Sequence, residues 1–224
     1  MLDVLGSVLP NAVAIFISPL PIIAVILLLM SPQAKQLGPS FLLGWVVGIV
    51  VMTTLTTLLA GVIPEPDTAK ESAPVMAIIQ LVLGLLLVLL GVKQWRSRPR
   101  PGETAELPAW MSKLDSMTPI AVTGLAFALA ALNPKNLLLE AAAGTVIGRA
   151  SIGTAEIVVV IVVFTIIAAI TVLVPVLITI VAPAKAASVL GDLRTWLAAN
   201  NATIMMVVFL ILGTQIVGKG IGNF

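Results

Sequence analysis

The stretch Ala130-Ala131-Leu132-Asn133-Pro134-Lys135-Asn136-Leu137-Leu138-Leu139-Glu140 decides how this chain must fold. It lies inside a mainly apolar run from about Pro119 to Ile147. As one straight helix that run would be about 43 Å long at 1.5 Å per residue, against a hydrocarbon core of about 30 Å. Pro134 has no N–H, and its ring clashes with the carbonyl four residues back. The proline also pushes Asn133 out of the helical region. A break is therefore expected, with freed carbonyls before it and exposed amides after it. Such groups are tolerated at membrane depth only when buried in protein or lining a wet cavity. The helix restarting after Pro134 would offer a positive dipole end to an anionic group. Ser18-Pro19-Leu20-Pro21 repeats the device near the other end of the chain, with Ser18 as a hydroxyl cap. A plain kink serving only helix packing is the simpler reading of either break.

The rest of the chain makes the bilayer its solvent. Of 224 residues 59% are hydrophobic and 10% charged, and the mean hydropathy is +1.17. Soluble domains carry about 25% charged residues, so too little polar surface exists here to coat a water-facing globule. The chain has no cysteine and no histidine. Thiol redox chemistry is excluded, a transition-metal site is disfavoured, and the usual near-neutral acid–base group is missing. The first residues, Met1-Leu2-Asp3, lack the basic start of a signal peptide, so the first apolar segment is expected to be retained.

Six apolar segments can be placed, at about Val4–Met30, Ser40–Ile63, Pro74–Val92, Pro119–Ile147, Ile152–Ala182 and Ala202–Val217. All should be helices, since open sheet edges cannot be satisfied in hydrocarbon. The fifth contains Pro175. Basic residues gather in loops. With the central Lys93–Arg100 loop in the cytoplasm, Lys35, Lys93, Arg96, Arg98, Arg100, Lys113, Lys185 and Arg194 lie inside. Lys70, Arg149 and Lys219 lie outside, with the acidic Glu65, Asp67 and Glu71. The positive-inside rule then puts both termini outside. Leu107, Trp110, Met111 and Leu114 share helical spacing, as do Leu190, Leu193 and Leu197 beside Val189 and Trp196. Each set suits an interfacial helix with its Trp among headgroups; a gate or a docking point is the alternative.

The halves resemble each other. A shift of 115 residues lays Ser18-Pro19 on Asn133-Pro134 and Gly38 on Gly153, and a shift of 129 lays Gly84 on Gly213 and Gly91 on Gly220. With three segments per half, the second copy must enter the membrane in the opposite sense. The expected fold is an all-α membrane protein of six transmembrane helices in a 3+3 inverted repeat, with helices 1 and 4 broken at prolines. Residues 1–92 form the first repeat, 93–118 a basic cytoplasmic loop with a short amphipathic helix, and 119–224 the second repeat. Secondary transporters of this architecture place substrate near the midplane beside matched broken helices.

Lys135 and Glu140 are the two charges well inside a segment, where a charge costs about 2.5–3.5 kcal/mol and is functional by default. Five residues apart, they sit about 140° around a helix and should not pair, whereas Asn136 and Glu140 share a face. Lys135 could hold a carboxylate, phosphate or sulfate. Glu140 is a candidate proton carrier, since apolar surroundings disfavour a carboxyl's charged form. The plain alternatives are a snorkelling lysine and a satisfied structural carboxyl. Substrate is expected at Ser18, Pro19, Pro21, Asn133, Pro134, Lys135 and Asn136, with Glu140 as the proton-coupling group. Gly44 and Gly48 permit close helix approach, read here as packing within the chain. Thr53, Thr54, Thr56 and Thr57 can bond their own helix carbonyls, and Gln80 and Gln215 can cross-link helices or line a cavity. Nothing in the sequence has the spacing of an enzyme site, a metal site or a cofactor site, and no loop is long enough for a nucleotide domain.

Those residues resemble the lysine exporter superfamily, small six-helix bacterial proteins whose second break typically reads Asn-Pro-Lys, here Asn133-Pro134-Lys135. Within it the chain looks most like the peptidoglycolipid-addressing (GAP) family, which includes the sulfolipid-addressing proteins. Ala130 to Leu139, Trp110-Met111-Ser112-Lys113-Leu114, Leu193-Arg194-Thr195-Trp196-Leu197 and Asn200-Asn201-Ala202-Thr203 carry the likeness. The resemblance implies export or surface delivery of a polar lipid or glycolipid across the bacterial cytoplasmic membrane, driven by an ion gradient. Amino-acid exporters usually carry a Pro-Gly-Pro-type first break, which Ser18-Pro19-Leu20-Pro21 is not. A proton-coupled exporter of a small hydrophilic solute and a non-transporting envelope-assembly scaffold remain alternatives. Expected partners are membrane lipids and the substrate, with no nucleic acid, and a homodimer is left open.

Overall fold

The computed structural model describes residues 1–62, 73–99 and 109–222. The acidic-loop residues Glu65, Asp67, Lys70 and Glu71, together with Arg100 and Leu107, lie outside the described residues, as does the Lys185 side chain. The described chain is all-helical: α1 (Leu2–Phe16), α2 (Pro19–Leu29), α3 (Ala34–Val62), α4 (Ala73–Arg96), α5 (Pro119–Ala131), α6 (Pro134–Gly148), α7 (Thr154–Val181) and α8 (Pro183–Gly222), with a 3₁₀ segment at Ala109–Ser116 before α5. Among the described residues three helices are long and apolar enough to cross a membrane, in α3, α7 and α8. Two bent pairs raise that number to five: α1 with α2, bent by 54°, and α5 with α6, bent by 63°.

Both breaks fall where the prolines require. α1 ends at Phe16 and α2 starts at Pro19; α5 ends at Ala131 and α6 starts at Pro134. Ser18 and Asn133 occupy the cap positions in extended conformation, with ψ of 92° and 122°. Pro39 and Pro175, by contrast, lie inside continuous helices.

Two expectations need correction. The sixth segment was expected to begin near Ala202, separate from the amphipathic piece around Leu190; both belong to one 40-residue helix, α8. Leu190 and Leu197 form the buried edge of its first turns, and Trp196 and Val189 are exposed. The piece around Trp110 is 3₁₀ rather than α. At three residues per turn, Met111 and Leu114 then fall on one side, and both are buried against α2, which packs on this segment.

Compactness groups the described helices into two units. In the first, each long helix of one half lies on the bent pair of the other: α3 packs on α5 and α6, and α7 on α1 and α2. Glycine sets the α3 contacts. A Cβ on Gly44 would strike the Thr123 carbonyl, and one on Gly48 would stand 2.7 Å from the Ala130 Cβ. Further along, Gly144 and Gly148 of α6 press on Thr56 and on the Thr57 carbonyl. This second small-residue pair was overlooked in the sequence. Residue numbers rise together along both helices, so α3 runs beside α5 and then α6 in a single direction. α2 turns back into α3 through residues 30–33, with Leu29 against Gly38. The first bent pair therefore runs against α3, and the second runs with it.

The second unit contains α4 and the later part of α8. Gly84 meets Gly213 and Val217, while Gly213 meets Gly84 and Val88. Gly91 meets Met206 and Leu210, and Gly220 meets Ala77 and Leu81. The two numbers in each contact sum to 297 or 301, which makes the helices antiparallel. Shifting one partner up by 129 and the other down by 129 maps these contacts onto one another, the approach of Gly91 to Phe209 excepted, as a local two-fold axis requires.

Candidate functional site

The chemistry of the first break follows from its lost donors. In a continuous helix residues 18, 19, 20 and 21 would donate to the carbonyls of 14, 15, 16 and 17. Pro19 and Pro21 have no N–H, which frees the Ile15 and Ile17 carbonyls, and the Ser18 amide turns to Phe16 at 3.0 Å, which frees Ala14. Side chains take up what is freed. Ser18 Oγ donates to the Ile15 carbonyl at 2.6 Å, while Thr171 Oγ1 of α7 joins the Ser18 amide on the Phe16 carbonyl at 2.9 Å. The Lys135 ammonium, arriving from the second break, donates to Ala14 at 2.8 Å, to Ile17 at 3.2 Å and to Ser18 Oγ at 2.6 Å. An ammonium has three donors, and all three are used. Lys135 is a cationic cap on the negative end of α1.

The second break is built in the same way. Asn136 Nδ2 donates to the Leu129 carbonyl at 3.2 Å. Leu129 is the counterpart of Ala14 under the 115-residue shift. The first turn of α6 thus supplies donors to both breaks, Lys135 to α1 and Asn136 to α5. Thr171 and its role were not visible in the sequence, where it is one threonine in an apolar run.

Two sequence expectations change here. Ser18 makes no side-chain cap to α2, because its hydroxyl donates backwards into α1 and accepts from Lys135. The helix starts also offer little to an anion. At α6 Pro134 has no amide, Asn133 Oδ1 accepts from the Lys135 amide at 3.0 Å, and the Leu137 amide goes to Asn133 at 2.9 Å. At α2 two of the first three residues are prolines. Each start keeps a single unassigned amide, at Asn136 and at Leu20, so the breaks are rich in carbonyls and poor in donors.

Of the expected site residues, the structure joins Ser18 and Lys135 directly. Pro19 and Pro21 are buried at the start of α2, Asn133 and Lys135 are half-buried, and Pro134 is exposed. Asn136 and Glu140 are fully buried on one face of α6. Among the described residues the Glu140 carboxyl has no hydrogen-bond partner, and neither has Asn136 Oδ1; Lys135 and Glu140 do not form a pair. Other buried side-chain atoms without a partner lie on the neighbouring helices: Trp45 Nε1 and Thr53 Oγ1 on α3, and Thr165 Oγ1 on α7. Thr56 Oγ1 has one proton to donate and stands within hydrogen-bond reach of the Met52 and Thr53 carbonyls of its own helix and, across the contact, of the Glu140 carbonyl at 3.2 Å. Among the described residues no acidic cluster could hold a metal ion.

On the flank of α3 and α5 an open groove of about 570 Å³ is lined by Leu43, Gly44, Val47, Ile120, Thr123, Gly124 and Phe127. Its one hydroxyl, on Thr123, is turned away to the carbonyls of Ser40 and Pro119, so the lining is apolar.

No curated protein and no solved structure matches the chain. A family model does, over residues 8–222, and it takes in both breaks, Lys135, Glu140 and the contacts of both units. The chain is a member of the family described as Sap, sulfolipid-1-addressing protein.

Proposed function

We propose that this chain is a carrier that moves an anionic polar lipid or glycolipid across the bacterial cytoplasmic membrane, and is not an enzyme. The observation that carries this reading is the Lys135 ammonium, held in a membrane-embedded break and bonded to carbonyls and a hydroxyl, with no carboxylate among the described residues paired with it. To take an anion Lys135 must give up at least one of its three bonds, and full release leaves the Ala14 and Ile17 carbonyls bare. A head group joining an anion to hydroxyls would replace each bond lost: the anion takes the ammonium, and the hydroxyls donate to the carbonyls. A small zwitterion such as an amino acid could supply its own ammonium to those carbonyls, but it has no alkyl chain for the flanking groove. The family description, with its sulfolipid, fits the first chemistry.

The reading includes six crossings in a 3+3 inverted repeat. Each bent pair has an end-to-end length of about 35 Å from its helix lengths and bend, enough for a core of about 30 Å. The α5–α6 pair follows α3 throughout, which favours a broken span over a re-entrant loop. α4, at about 36 Å, would be the sixth. The opposed senses of the two bent pairs, and the two-fold pattern of the α4–α8 contacts, support the inversion. Lys93, Arg96 and Arg98 at the end of α4 favour a cytoplasmic central loop and outward termini.

The test is reconstitution into vesicles with labelled lipids. A sulfated or phosphorylated glycolipid should change leaflets, a choline phospholipid much less, and lysine not at all. Accumulation of the amino acid with no lipid movement would replace the reading with that of a solute exporter. No movement of either, with recovery of an envelope synthase on the purified chain, would make it a scaffold.

A further inference from the structure

The buried carboxyl of Glu140 has no part in the head-group exchange described above. We propose that Glu140 and Asn136 form a proton-binding pair, with Thr53 of α3 against it, and that its loading controls whether α6 keeps Lys135 on α1. The proposal rests on the carrier reading for its purpose, and its first test does not require transport.

Glu140 and Asn136 are one turn apart on the same face of α6, and both are fully buried. The Leu129 carbonyl can only accept, so the Asn136 atom facing it must be the amide nitrogen. The oxygen left for Glu140 is an acceptor without a donor. An ionised Glu140 would set a carboxylate one helical turn from that acceptor in a water-excluded seam, which is strongly unfavourable. One proton resolves the conflict: Glu140 then donates to Asn136 Oδ1, and its second oxygen can accept from Thr53.

Thr53 lies at the right level. α3 and α6 run the same way, and helical side chains lean toward the helix start. Thr56 touches the Glu140 carbonyl, so the Glu140 side chain leans back toward the turn that carries Thr53. A metal cation is the poorer occupant. Transporter sites for sodium draw on unwound backbone carbonyls, whereas α3 and α6 are continuous at these residues.

No other charge on the surrounding helices competes. α5 has none, and Lys35 on α3 stands about 27 Å from Thr53 along the helix. Asp3 is in the first turn of α1, and Glu156 in that of α7 accepts from the Gly153 amide. On α6 itself Lys135 is committed to α1, and Arg149 is at the far end. The link to the exchange site is short, because Asn136 follows Lys135 directly. Losing the proton releases Asn136 from Glu140, which loosens the turn that holds Lys135 on Ala14, Ile17 and Ser18.

Infrared difference spectra of the full chain in nanodiscs, taken across a pH change without substrate, test the pair. A buried protonated-acid band is expected, absent in Glu140→Gln and shifted, not lost, in Asn136→Ala. Glu140→Gln flux should also lose its pH dependence. No acid band in the wild type, a band unmoved in Asn136→Ala, or a band removed by sodium at constant pH would each overturn the proposal. Because Asn136→Ala keeps the acid, the test survives if Glu140→Gln fails to fold. A correct infrared result with no lipid flux would refute the carrier reading alone.

Discussion

Replacing Lys135 by Met keeps the apolar stem and removes the three donors. Two carbonyls then lose their partner. Ala14 is buried and Ile17 half-buried, and an unsatisfied buried acceptor costs about 1–3 kcal/mol. Taking about 2 kcal/mol for Ala14 and about 1 for Ile17, and about 0.5 for the lost charge at the α1 terminus, the gross cost is about 3.5 kcal/mol. Against it stands the desolvation of the ammonium, no longer required, which for this half-buried group we take as about 1.5 kcal/mol. The net loss is about 2 kcal/mol, a fall in melting temperature of about 4–8 °C for a chain of this size. Thermal unfolding in detergent measures the total, and hydrogen exchange locates it, since the Ile17 and Ser18 amides should exchange faster while those of α4 do not change. An unaltered melting temperature with unaltered exchange at residues 17 and 18 would refute the idea that Lys135 closes the first break.

Other perturbations separate contacts that composition alone treats alike. Gly144→Ala puts a methyl 2.8 Å from the Thr56 Cβ and 2.9 Å from the Thr53 carbonyl, and should cost about 1–3 kcal/mol of stability in the same melting assay. Gly124→Ala, on α5, meets nothing within 4 Å and should gain about 0.5–1 kcal/mol; a loss there would mean that the groove is filled. Gly84→Ala and Gly213→Ala make matching contacts at 2.6–3.0 Å and should lower the melting temperature equally; a difference above about 0.5 kcal/mol, the usual error of additivity, would break the two-fold relation. Thr171→Val should cost about 1 kcal/mol, and exchange at Ser18, whose acceptor it shares, reports the change.

The parts of the fold written in local stereochemistry could be read in advance. Pro19 and Pro134 act on their own neighbours, so both break positions and the non-helical backbone of Asn133 followed from the sequence, whereas the side-chain cap was expected at Ser18 and is made by Asn133. The partners at the breaks did not, because Lys135 reaches residues more than 110 positions away and only the packed helices bring them together. Seen alone, Lys135 was a free cation awaiting an anion. The segment start expected near Ala202, which falls inside α8, has another cause. Asn200 and Asn201 look like a stop, but asparagine in a helix interior costs only about 0.7 kcal/mol, and neither proline nor glycine lies between Asp192 and Leu212. Gly144 and Gly148 were missed because small residues are common in apolar runs, and only the neighbouring α3 gives these two a task.

The magnitudes at the first break also bear on how a carrier could work there. Releasing Lys135 from α1 leaves a deficit of about 3.5 kcal/mol, because the ammonium is still present, and two charge-assisted hydrogen bonds to an incoming anion are together worth about 3–6 kcal/mol. The two nearly cancel, so a bound head group can shift the balance between latched and released states without trapping either. A carboxylate fixed beside Lys135 would remove that balance, because an introduced ion pair would hold the ammonium too firmly for exchange. Ser18→Asp or Asn133→Asp should therefore slow lipid movement even if the protein becomes more stable. Faster flux in either variant would show that the Lys135 latch does not limit the cycle.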